Sequence, residues 1–127
     1  MNLDIDQHLK TLDISLLAEW DVLAFLDRHG TNLVSAEQIA RLIGHDKGAV
    51  GAALEKVTSA GLVQRSRSSQ GVRLYRLHPM KDPSQQHSFK DLMNLASTRS
   101  GRILLIRTLQ QRANGAEIRK RSGLHLA

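Results

Sequence analysis

Ser35 and Gln38 occupy the first and fourth positions of a capping box, and the pattern that follows them limits the possible folds more than any other part of the chain. The box predicts a short helix over Ala36–Ile43, which Gly44 brings to a stop. Two residues later Asp46 is placed to cap a further helix, whose inward positions Val50, Ala53 or Leu54, and Val57 recur at helical spacing before Gly61. Two short helices therefore meet across a tight turn.

The flanking segments extend this pattern. Upstream, Ser15 can cap a helix whose apolar stripe runs through Leu16, Leu17, Trp20, Leu23, Ala24 and Leu26 and which ends at Gly30. A short extended link, Thr31 to Val34, joins it to the capping box. Downstream, Leu62–Ser66 and Val72–Leu77 are β-prone runs separated by Arg67-Ser68-Ser69-Gln70-Gly71, which lets the chain reverse as a hairpin. Pro79 and Pro83 bracket a linker, after which Ser88 and Asp91 can cap a helix containing Leu92, Met93 and Leu95. Gly101 interrupts this helical layer ahead of Ile103–Ile106 and Leu109, and Gly115 is expected to end it before a basic tail with Arg119, Lys120 and Arg121. These boundaries divide the chain into a flexible segment over 1–14, a central domain over 15–79 and a C-terminal helical extension over 80–127.

Charge separates the two ends. Residues 1–30 hold six acids and two bases, residues 61–80 hold four arginines and no acid, and residues 81–127 hold nine bases against three acids. Clustered Lys and Arg gain from releasing counterions condensed on phosphates, so this rear surface suits a polyanion; a solubilising basic face is the plainer alternative. The 127 residues suffice for one core without staples, and the absence of cysteine excludes disulfides, thiolate zinc sites and cysteine nucleophiles. No apolar run approaches the roughly 18 residues of a membrane span. With Asp4 and Asp6 at the N-terminus no secretory signal is evident. The expected location is cytoplasmic.

The element order is helix, short strand, short helix, turn, helix, β-hairpin: a mainly α fold with a small β-hairpin, a winged helix-turn-helix plus a C-terminal helical extension. Trp20-Asp21-Val22-Leu23-Ala24-Phe25-Leu26, Ser35-Ala36-Glu37-Gln38-Ile39-Ala40-Arg41-Leu42-Ile43-Gly44, and Asp46-Lys47 with Val50, Leu54 and Ala60-Gly61-Leu62-Val63 carry a resemblance to the MarR-like transcriptional regulators. The resemblance implies that the helix from Lys47 enters the major groove of double-stranded DNA while the hairpin lies along the flanking backbone or minor groove. The candidate DNA-binding residues are Lys47, Gly48, Gly51 and Ala52 on the helix and Arg65, Arg67, Ser68, Ser69, Gln70 and Arg73 on the hairpin. Lys47 beside the free N–H groups of a helix N-terminus favours phosphate, and Arg65, Arg67, Arg73 and Arg76 gather four guanidinium groups on one element. The helix face itself, Lys47, Gly48, Gly51, Ala52 and Glu55, offers few side chains to base edges. A solvated hairpin is the alternative.

Dimeric regulators of this kind pair through appended helices, which implies a homodimer through Leu92, Ala96, Ile103, Ile106 and Leu109; the other reading of that stripe is an intramolecular core. The six histidines show no ligand pair at helical or hairpin spacing, so neither metal nor cofactor is expected. No nucleophile elbow or phosphate-binding glycine loop supports an enzyme. A DNA-binding transcriptional regulator is the leading expectation, with a winged-helix protein-protein interaction module as the alternative and a small-molecule effector between the core and the C-terminal helices as a third possibility.

Overall fold

The computed structural model describes the backbone of residues 2–30, 32–67 and 70–126, and the side chains of residues 5–30, 32–67 and 70–112. In chain order the elements are α1 (Asn2–Thr11), α2 (Leu17–Arg28), β1 (Val34–Ser35), α3 (Ala36–Ile43), α4 (Lys47–Ser59), β2 (Val63–Arg67), β3 (Arg73–Leu77), α5 (Pro83–Ala96) and α6 (Arg99–Leu126). They form two compact units, one of Leu17–Asp82 and one of Met1–Leu16 with Pro83–Ala127. No described helix is long and apolar enough to cross a membrane.

In the first of these units, α2 is buried from Ala18 to Leu26 except at Asp21 and forms its centre. Trp20, Leu23 and Leu26 meet a core completed by Ile39 of α3, Val50, Leu54 and Val57 of α4, and Leu62, Val63 and Tyr75. The capping box forms as the sequence predicts: Ser35 Oγ accepts from Gln38 N at 3.2 Å, and Gln38 Oε1 accepts from Ser35 N at 2.9 Å. Gly44 closes α3 in the left-handed region at φ 76°, where a side chain would be strained. Asp46 then caps α4 by accepting from Ala49 N at 3.2 Å.

The extended link before α3 becomes a strand. β1 pairs antiparallel with β3, Val34 opposite Tyr75 and Ser35 opposite Leu74, and β3 also pairs with β2, giving the order β1-β3-β2. Ser35 thus ends a strand and caps a helix at once, which fixes where α3 leaves the sheet. Leu16, counted in the α2 stripe, instead precedes that helix and is 52% exposed.

The other unit overturns two expectations. Residues 1–14 are not a flexible segment, since α1 spans most of them, and Ile5 and Leu9 of the helix with Leu12 and Ile14 just after it are buried, as are Phe89 and Leu92 of α5 and Leu105 and Leu109 of α6. The acidic residues Asp4 and Asp6 conceal an apolar stripe at positions 5, 9 and 12, which is helical spacing. The helix expected to open at Ser88 begins instead at Pro83, because proline suits the first turn, where its missing N–H has no partner to lose. Ser88 and Asp91 are consequently mid-helix.

Between α5 and α6 the chain turns sharply. A Cβ on Gly101 would overlap the Leu95 carbonyl oxygen and crowd Thr98 Oγ1, so the first turn of α6 approaches the end of α5 at backbone distance. Thr98 Oγ1 accepts from Gly101 N at 3.0 Å and so satisfies one N–H of the new helix. α6 then runs on through Gly115, which does not end it as expected, since a single glycine costs a helix only about 1 kcal/mol. The expected basic tail, Arg119, Lys120 and Arg121, falls within α6, and its side chains lie outside the described residues.

Candidate nucleic-acid interface

The hairpin register decides how its arginines are arranged. Val63 faces Leu77, Arg65 faces Tyr75 and Arg67 faces Arg73, while Gln64 pairs with Arg76 and Ser66 with Leu74. Opposed residues share one side of the sheet, so Arg65, Arg67 and Arg73 lie on the side that carries the buried Val63 and Tyr75. Arg76 lies on the other side, where its Nε donates to Gln64 Oε1 at 2.9 Å. The expected group of four guanidinium groups is therefore a group of three, because period-two alternation sends the fourth away.

This three-arginine side adjoins the outer surface of α4. Arg65 Nη1 and Arg73 Nη1 both reach Glu55 Oε1, at 3.4 and 3.5 Å. Glu55, Ala52, Gly48 and Lys47 are exposed on the helix, and Gly51 is half-exposed beside them. Helix and hairpin thus present one continuous face, with Glu55 as the acid at its centre. At the hairpin tip Arg67 and Arg73 stand directly opposite each other, a like-charged cross-strand pair that costs stability unless an anion lies between or beside them.

Residues 12–73 match the sequence profile of the MarR family. This segment is a MarR-family winged helix. No curated protein matches the chain in sequence. Among solved structures it is similar to a MarR-family transcriptional regulator from Silicibacter pomeroyi, with a TM-score of 0.55 and 18% identity over 94% of this chain and 77% of that one. The YusO protein of Bacillus subtilis gives 0.54 and 16% over 95% and 82%. The S. aureus MepR-DNA complex gives 0.52 and 18% over 98% and 84%. At such identities the likeness is one of fold.

Within the MarR-family winged helix the remaining candidate residues are placed as follows. Lys47 is not the free cation expected at the α4 N-terminus: its Nζ donates to Glu37 Oε1 at 2.8 Å, and the Asp46 carboxylate already accepts from one N-terminal N–H, that of Ala49. That hydrogen bond and the lysine charge hold the Glu37 carboxyl below the usual glutamate range, with Arg41 adding to the effect. Gly51 has no heavy atom within 4 Å of where a Cβ would stand, so the helix does not need glycine there for its own packing; at Gly48 a Cβ would lie 3.0 Å from Asp46 Oδ2. Gln70 is exposed, and Ser68 and Ser69 lie outside the described residues.

Several other polar groups are structural. His45 Nε2 lies 2.8 Å from Asp21 Oδ2 and ties the α3–α4 turn to α2. His29 stacks on Phe25 and bonds the Phe25 carbonyl at the end of α2. Lys56 of α4 donates to the buried Glu19 of α2 at 3.0 Å. In the helical unit, His8, His87 and Asp91 come together, a grouping not expected from the spacing of the histidines alone. The spacing of four between His87 and Asp91 was the available signal; His8 is distant in sequence and gave none.

Proposed function

We propose that this protein is a DNA-binding transcriptional regulator whose α4 lies in the major groove while the β2–β3 wing follows the flanking backbone or minor groove. The observation that supports this most is the continuous face of α4 and the three wing arginines, with Arg67 and Arg73 opposed at its tip. Arg65, Arg67 and Arg73 would contact phosphates, with Ser68, Ser69 and Gln70 beside them, and Lys47 would do so by exchanging its Glu37 partner for a phosphate. Gly48, Gly51 and Ala52 would let the backbone of α4 come close to the duplex, so discrimination would draw on DNA shape more than on base-edge hydrogen bonds. No catalysis is part of this reading. It would act in the cytoplasm.

The deciding experiment is a duplex-binding titration across several salt concentrations. Binding should weaken steeply with salt, and Arg67→Ala should lower the slope by about one ion. An unchanged slope in that variant would remove Arg67 from the interface. The alternative, a protein-protein interaction module, is favoured only by the small, smooth surface of Gly51 and Ala52; it predicts partner capture that survives high salt and no shift of any duplex.

The reading includes a homodimer built through the C-terminal helices. Leu92 and Leu109 are buried in their own unit, whereas Ile103 is 42% exposed and Ala96 and Ile106 are half-buried, which leaves part of the expected stripe for a second copy. Light scattering after size exclusion should give twice the chain mass, and Ile103→Glu should reduce it. A small-molecule effector would be revealed by ligand-dependent thermal stabilisation.

A further inference from the structure

One cluster in the helical unit is not used by DNA binding. His8 projects from α1 and His87 and Asp91 from one face of α5, one turn apart. His8 Nε2 and His87 Nε2 each lie 3.2 Å from Asp91 Oδ2, and the potential ligand atoms all fall within 4.8 Å of one another. The two rings meet edge to face at 5.6 Å. On its other side His8 Nδ1 lies 2.9 Å from Oγ of Ser88, which is buried.

The Ser88 contact sets the chemistry of the nearer ring. Ser88 Oγ meets Nδ1, so this hydrogen bond holds the His8 ring with Nε2 aimed at Asp91. With the ring proton on Nδ1, Nε2 would offer a lone pair to a cation shared with the Asp91 carboxylate. The spacing suits that cation. Bonds of about 2.0–2.1 Å in a tetrahedron give ligand–ligand edges of about 3.3 Å, close to both histidine–aspartate separations.

We propose that His8, His87 and Asp91 bind a divalent first-row transition-metal ion of the zinc class, with solvent in the open coordination position. Two imidazoles and one carboxylate are borderline ligands that suit such an ion better than calcium or magnesium, and without cysteine the chain has no thiolate for copper(I). His8 and Asp91 also line a cleft of about 470 Å³ together with Ile5, Leu92 and Leu95, so solvent reaches the site. The ion would join α1 to α5, and Ser88 would act as a positioning residue that holds the His8 ring. The proposal does not rest on DNA binding.

The test is calorimetric titration of the tag-free, full-length protein with zinc, together with visible absorption of its cobalt(II) form. One ion per chain and a four- or five-coordinate cobalt spectrum are expected. His87→Ala alters a side chain that is 70% exposed and leaves the packing intact; it should weaken binding at least tenfold and abolish the cobalt band, as should Asp91→Asn. Ser88→Ala should weaken binding by about tenfold, while His45→Ala should leave it unchanged. Absence of zinc binding in the wild-type chain, or wild-type affinity in both His87→Ala and Asp91→Asn, would overturn the proposal. A duplex titration of the metal-free protein distinguishes this failure from failure of the DNA-binding reading.

Discussion

Arg73 of the wing and Glu55 of α4 form an ion pair with Nη1 and Oε1 3.5 Å apart, and Arg65 converges on the same carboxylate oxygen at 3.4 Å. A carboxylate so placed holds two guanidinium groups beside the helix and competes with any phosphate that approaches them. Glu55→Gln should therefore tighten duplex binding. Exposed pairs of this type contribute about 0.2–1 kcal/mol each, so losing both corresponds to a gain of about two- to thirtyfold at low salt. Gel-shift titration of the variant measures it, and equal or weaker binding would mean that the two arginines do not face the duplex.

Gly51 separates two uses of glycine. Open space surrounds its missing Cβ, so Gly51→Ala should stabilise the fold by about 0.5–1 kcal/mol through helix propensity alone. If α4 comes within a methyl group of a duplex, the same variant should bind DNA less tightly while unfolding at higher urea. A more stable protein with unchanged affinity would show that the α4 backbone stays clear of the nucleic acid.

Lys56 and Glu19 join α4 to α2 from opposite environments, the glutamate being 3% exposed and the lysine partly open to solvent. Lys56→Met keeps the aliphatic stem but takes the charged partner away from a buried carboxylate. A loss of about 1.5–3 kcal/mol is expected, read as a lower urea midpoint at constant m value. A change below the error of that measurement would mean that the other contacts of Glu19 suffice to hold it.

Much of the winged helix could be read in advance because its signals are local. The Ser35–Gln38 box, the Asp46 cap and the left-handed Gly44 each act within four residues, and each forms as the residues predict. What escaped was set by register and by distance along the chain. The separation of Arg76 from the other wing arginines depends on which strand residues oppose one another, which composition does not record. Glu37 and Lys47 are ten residues apart on different helices, and His8 and Ser88 are eighty apart. α1 was legible in principle from Ile5, Leu9 and Leu12 and was obscured by Asp4 and Asp6 on either side of Ile5.

The Glu37–Lys47 pair carries a pH dependence with a definite sign. The lysine lowers the carboxyl's folded-state pKa, so the pair's stabilisation is fully present above the ordinary glutamate range and is lost as pH falls through the lowered value. Both groups are exposed, and the effect on global stability should be small. Carbon-detected NMR titration should show Glu37 with a depressed midpoint that rises in Lys47→Gln. An identical midpoint in the two proteins would mean that the contact does not persist in solution.

At the corner between the last two helices, main chain touches main chain with no room for even one methyl group. The angle between α5 and α6 is accordingly held by stiff covalent geometry, where side-chain packing would allow gradual adjustment. Gly101→Ala cannot be absorbed by a rotamer change; the second helix must re-aim as a rod. Position 101 is thus a steering point, from which one added carbon atom would be magnified along the length of α6.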